Sequence, residues 1–167
     1  MVRAHGQRGE GRAGGHVRGR AGGSRGRQAV GVGDAAAERG GPAVASCAFN
    51  RRDLEGFVAL ASPEVEWEDS MFWTEPVRIY RGRAELREWV EKVLEPWESI
   101  RVEADELTEA SDGRVFARLS LTGRGKASGA VTEQDAWTVL WFTNGLCARR
   151  LVFRDRREAR EAAGLSD

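Results

Sequence analysis

The sequence predicts an α+β domain over residues 42–167, preceded by a tail over residues 1–41 that has no means of folding. Three observations carry this class. Helical patterns come first and end in one long amphipathic segment, after which four long strand patterns follow without interruption. The last two strands are joined by Asn144-Gly145, which supplies the two positive-φ positions of a tight hairpin turn. Hydrophobic residues make up 41% of the 167, enough for a single core.

Taken in order, residues 43–50 form a short helix after Gly40-Gly41-Pro42. Asp53 caps a second helix over 54–61, which buries Phe57, Val58, Leu60 and Ala61 and ends at Ser62-Pro63. Residues 64–69 alternate as a strand, 71–76 make an aromatic loop, and 78–80 form a short strand before Gly82. The clearest helix spans 84–97. It sets Leu86, Trp89, Val90, Val93, Leu94 and Trp97 on one stripe, with Glu88, Glu91, Lys92 and Glu95 towards water. Strands are expected over 100–107, 114–123 after the Asp112-Gly113 turn, 131–143 and 146–154. Asp155 then caps a final helix over 156–163, and Gly164 sits where a left-handed C-terminal cap belongs, with Leu165 folding back onto it.

A net charge of zero averages two unlike parts. Residues 1–40 hold eight Arg and three acids, while 41–167 hold 18 basic and 23 acidic groups. The tail is Gly/Arg-rich, has almost no apolar residue larger than Val, and cannot offset the entropy of ordering; it is expected to be disordered. It offers no aromatic residue for bases to stack on, so nucleic-acid binding is not expected. Gly31-Val32-Gly33 follows no strand and lacks the third glycine of a dinucleotide fingerprint. The longest apolar run, residues 136–142, is far short of the roughly 18 residues of a membrane span. No signal-peptide core is visible, which predicts a cytoplasmic protein. Cys47 and Cys147 are read as reduced core residues.

Residues 43–165 resemble the SnoaL-like proteins of the NTF2-like (ketosteroid isomerase-like) superfamily. The resemblance rests on Ala48-Phe49-Asn50-Arg51-Arg52-Asp53-Leu54, Pro63-Glu64-Val65-Glu66-Trp67, Tyr80-Arg81-Gly82-Arg83, and Gly123-Arg124-Gly125 through Ser128-Gly129. Its last part runs from Asn144-Gly145 through Val152-Phe153-Arg154-Asp155-Arg156 to Glu161-Ala162-Ala163-Gly164-Leu165. It implies a cone in which a curved antiparallel sheet wraps the long helix around an apolar pocket, commonly in a homodimer. It leaves the reaction open, because such folds host many functions. One departure is the first helix, which Gly40-Gly41-Pro42 cuts short.

Independently of the family, Ala136-Trp137-Thr138-Val139-Leu140-Trp141-Phe142 is apolar on both faces, so both sides need cover. With Ala136, Thr138, Leu140 and Phe142 towards the pocket, Trp137, Val139 and Trp141 point outward, and a homodimer is the expected cover. The opposite assignment satisfies the same alternation.

Both histidines, His5 and His16, lie in the tail. This excludes histidine-based triads in the domain and leaves no recognisable zinc ligand set, so neither metal nor cofactor is expected. Acid–base chemistry falls to carboxylates, Tyr80 or water. Glu68 and Asp69 lie beside Trp67 and the loop residues Met71, Phe72 and Trp73, where desolvation would raise a carboxylate pKa towards that of a useful base. Parity puts Asp69 with Val65 and Trp67, the inward set, and Glu68 with Glu64 and Glu66. In an ungapped comparison Glu68 nonetheless falls nearest the general base of the similar ketosteroid isomerases. Their first-helix tyrosine falls at Ala45 and their protonated aspartate near Thr138, so that kind of oxyanion hole is absent here. Asp135, in the region where SnoaL-type cyclases keep an aspartate, is a further candidate acid, and Arg118 a candidate partner for it or for an anionic ligand. Tyr80 is expected to pack at the helix entrance.

The expected ligand-contacting residues are therefore Trp67, Met71, Phe72, Trp73, Trp89, Arg118, Thr138 and Leu140. The reading is a domain whose apolar pocket binds a small hydrophobic molecule. A cofactor-free carboxylate isomerase, cyclase or hydrolase using Glu68, Asp69 or Asp135 is the first alternative. A dimeric interaction module with a filled cone is the second.

Overall fold

A computed structural model of the chain describes residues 41–70 and 77–165. Residues 1–40 of the tail and the expected contacts Met71, Phe72 and Trp73 lie outside the described residues. Helix α1 (Pro42–Asn50) carries proline in its first turn, and α2 (Leu54–Ala59) is capped by Asp53, whose carboxylate accepts the Gly56 N–H at 2.9 Å. Strand β1 (Ala61–Asp69), β2 (Arg78–Arg81), α3 (Gly82–Leu94), β3 (Trp97–Glu109), β4 (Val115–Gly125), β5 (Val131–Thr143), β6 (Leu146–Phe153) and α4 (Arg156–Ala162) complete the order. Among the described residues, no helix is long and apolar enough to cross a membrane.

The turn and cap signals hold. Asn144 and Gly145 take φ of 52° and 77°, the left-handed pair that a two-residue hairpin turn requires. Asp155 accepts the Glu158 N–H at 3.0 Å, and Gly164 ends α4 at φ 73°.

The strands form one sheet in the order β2-β1-β6-β5-β4-β3. Four of the five pairings are antiparallel, but β1 runs parallel to β6, which corrects the expectation of an antiparallel sheet throughout. The cause is the crossover. Helix α3 carries the chain from β2 to the far edge, and the meander β3–β6 returns to β1 pointing the same way. Strand β1 also begins earlier than expected, at Ala61. Pro63, which has no N–H to give a ladder, falls in the irregular stretch between the Ala61 and Glu66 pairings with β6.

Helix α3 buries Leu86, Trp89, Val90, Val93 and Leu94 against the inner face of the sheet, where Phe49, Phe57, Val65 and Trp67 meet it. Trp97 does not extend this stripe. Glu95 precedes Pro96, which disfavours helix, and Trp97 opens β3 instead, its ring against Gly123 at a distance that leaves no space for a Cβ there. The outer face of β5 is covered differently from expectation. Ala159 and Ala163 at the C-terminal end of the chain pack over Phe116 and Val139, with Trp137, Trp141, Phe153 and Leu165 half-buried around them. The chain itself thus supplies part of the cover assigned from sequence to a second copy.

Helix α1 closes the inner face at its β3 edge. Asn50 accepts the Val102 N–H at 2.8 Å and donates Nδ2–H to the Val102 carbonyl at 2.7 Å, so its amide stands in for a neighbouring strand.

Candidate functional site

Between α1, α3 and the inner sheet face lies a cavity of about 60 Å³. That is several times the ~10–15 Å³ one water needs. Each wall follows from the pattern of its element. Helix α1 brings Ala45, Ser46 and Phe49, spaced along one face, and α2 adds Phe57. Trp67 comes from the inward parity of β1 and Trp89 from the stripe of α3. Leu119, Thr138 and Leu140 are inward positions of β4 and β5. The rings form one cluster: Trp67 and Trp89 have centroids 5.2 Å apart, and Phe57 meets Trp67 edge-on at 5.5 Å.

Four expected contacts, Trp67, Trp89, Thr138 and Leu140, are therefore brought together on this cavity. The Thr138 hydroxyl donates to the Leu151 carbonyl at 2.8 Å, so its proton is committed to the backbone. Asp69 is buried with Val65 and Trp67, as its parity requires. Glu68 shares the other face with Glu66, which pairs with Arg81 and Arg149. Tyr80 is buried beside Arg78, whose guanidinium lies 4.4 Å from the ring centre, and burial pushes its phenol pKa up.

Asp135 and Arg118 are not at this cavity. They lie on the outer face, where Arg118 donates to Asp135 at 2.8 Å and Ser120 donates to its other oxygen at 2.9 Å. Alternation explains the placement. Asp135 has the parity of Val139, and Arg118 that of Phe116, both packed against the C-terminal helix. The Arg118 hydrogen bond, then that of Ser120, holds the Asp135 carboxyl below its ordinary range, opposite to what a general acid or base needs. Neither residue lines the inner cavity, and of the two partners the sequence offered Arg118, the structure shows Asp135. Cys47 also departs from expectation, being exposed on α1; Cys147 is buried, and burial pushes its thiol up to about 12.

The residue that sequence reasoning missed is Arg150. Only 4% exposed, it lines the cavity with its guanidinium 4.5 Å from the Trp67 ring centre and 5.7 Å from that of Trp89. It donates to the Glu68 carbonyl at 3.0 Å. Burial pushes its pKa down to about 10, with attraction from Asp69 the largest opposing influence, so it remains a cation at neutral pH. Simple alternation from buried Cys147 would point Arg149 inward. The shift in pairing between Trp141 and Phe142 adds one residue, so Arg150 enters and Arg149 stacks on Trp141 outside, 5.1 Å from its ring centre. Phe57 was visible as a core position and Phe49 only as part of the family motif, and neither carried a signal marking it as cavity wall. Among the described residues, no group of three or more His, Cys, Asp or Glu side chains is placed to hold a metal.

The sequence matches the family model described as the SnoaL-like domain over residues 43–150. No curated protein matches it in sequence. Among solved structures it is similar to a hypothetical protein with a ketosteroid isomerase-like fold from Catenulispora acidiphila in complex with trimethylamine. That match has 14% identity and a TM-score of 0.59, and covers 74% of this chain and 91% of that one. An epoxide hydrolase/cyclase-like enzyme of pyran ring formation in the polyether salinomycin matches at 20% identity and TM-score 0.58, covering 74% and 90%. TerC co-crystallised with polyporic acid matches at 20% and 0.56, covering 72% and 93%. At these identities the likeness establishes the NTF2-like fold.

Proposed function

The chain belongs to the SnoaL-like domain family, and from that premise we propose that it binds a small, mainly apolar molecule in the cavity between α1, α3 and the sheet. The observation that carries this reading is the aromatic wall of Phe49, Phe57, Trp67 and Trp89 around space that the side chains leave unfilled. Similar folds holding trimethylamine and polyporic acid are in keeping with it. Calorimetric titration of the full chain with one- and two-ring apolar compounds tests it. Saturable binding is expected; failure across chemically different rings favours the interaction module instead.

A second reading is catalysis by a carboxylate, as the name of the epoxide hydrolase/cyclase-like neighbour suggests. Asp69 is the carboxylate that supports it, buried at the end of β1 on the same face as Trp67 and close enough to attract Arg150. We further propose a homodimer built on the outer sheet face, where Trp137 and Trp141 stay half-buried. Sedimentation of the full chain at micromolar concentration tests this, a monomer being the contrary result.

A further inference from the structure

The inner cavity is apolar in area but one-sided in hydrogen bonding. Arg150 has five N–H donors. One hydrogen bond, to the Glu68 carbonyl, and its two ring contacts account for its partners among the described residues. No carboxylate among them lies within ion-pair distance of the guanidinium; Asp69 and Glu68 act on it only from farther away. Trp67, under that guanidinium, has a buried indole N–H with no partner among the described residues, and Ser46 adds a hydroxyl on the opposing helix. Donors outnumber acceptors on the same walls: Thr138, its proton given to Leu151, is left as an acceptor only, beside the Ser46 hydroxyl, which can act either way. A buried arginine with donors to spare and no counter-ion bonded to it among the described residues is half of a charge-assisted pair.

Resting on the reading that this cavity holds a small apolar molecule, we propose that the molecule is a single planar ring bearing an anionic oxygen group, which Arg150 receives. The ring lies against Trp67, Trp89 and Phe57. The oxygens take the spare guanidinium N–H groups, a carboxylate doing so in a bidentate manner. Arg150 thus selects the ligand by charge, and the aromatic wall by shape.

The test compares benzoate with benzamide, which has the same shape and no charge, and with toluene, by calorimetric titration of the full chain. Benzoate is expected to bind at least tenfold more tightly than benzamide. The preference is expected to vanish in Arg150→Met and to survive in part in Arg150→Lys. Equal or tighter binding of benzamide overturns the proposal, as does a benzoate preference that persists in Arg150→Met. If benzamide and toluene bind while benzoate does not, the charge selection fails and the cavity reading stands; if none of the three binds, both fall. Should Arg150→Met not fold, the comparison in the unmodified chain decides.

Discussion

The guanidinium of Arg150 lies 4.5 Å from the centre of the Trp67 ring, with one N–H on the Glu68 carbonyl, so a cation is built into the wall of an apolar cavity. Desolvating that charge costs free energy that a stack on indole and one hydrogen bond offset only partly. Such a residue is hard to explain by stability alone.

Arg150→Met is therefore expected to fold, with stability unchanged or higher, because Met keeps the length of the side chain and removes the buried charge. The sign with pH follows from a folded-state pKa of about 10 against an ordinary 12.5. Below the folded value the group is charged in both states and its penalty is constant; the penalty is relieved only as pH rises from there towards the unfolded value. Urea unfolding of both proteins at about pH 6 and about pH 9 should give the same difference, and a difference that changes between them contradicts this account.

Asn50→Ala removes both hydrogen bonds to Val102 and leaves that backbone pair without its amide. A loss of about 2 kcal/mol in urea unfolding is expected. Because α1 carries Phe49 and Ala45 of the cavity wall, ligand affinity should fall as well. A variant as stable as the original would mean that α1 is held mainly by packing.

Much of this was legible in the sequence, for local reasons. Asn144-Gly145, Asp155 and Gly164 act through backbone geometry within a few residues, and the stripe of α3 through its period. Parity alone placed Asp69 with Trp67. The parallel β1–β6 contact depends on where a distant meander returns, which no local pattern encodes. Arg150 was hidden because one extra residue near the Asn144 hairpin shifts the phase of β6, and two adjacent arginines look alike until that phase is known. With Thr138 and Leu140 inward, alternation sends Asp135 outward with Trp137 and Val139; it was a candidate through the family resemblance, which fixed no register.

Asp135→Asn is expected to leave ligand binding unchanged, since the residue sits on the outer face. Its carboxyl is held below its ordinary 3.8 by Arg118 and then Ser120. The stability it contributes is thus fully present above that ordinary value and lost as pH falls through the lower folded-state value. Being exposed, the effect is small at neutral pH and should disappear in strong acid. Chemical unfolding along an acid series, beside a ligand titration, checks both parts.

Under the catalytic reading, Asp69→Asn should lower turnover by about 10²-fold or more while binding persists, and Glu68→Gln should stay near the original rate. The faces of β1 set this difference. Steady-state rates on a ring substrate, with Kd measured in parallel, separate the two; an unaffected Asp69→Asn removes the carboxylate mechanism and leaves binding.

The most direct test of the central claim is a thermal-shift titration of the full chain with a small ring compound, set beside Ala45→Phe, which places a ring where α1 faces the cavity. At a hundredfold excess over Kd, stabilisation of about 2.7 kcal/mol is expected, on the order of 10 °C in Tm, and Ala45→Phe should abolish it. No shift with any ring compound, or a shift that Ala45→Phe leaves intact, would contradict the assignment of this cavity as the binding site.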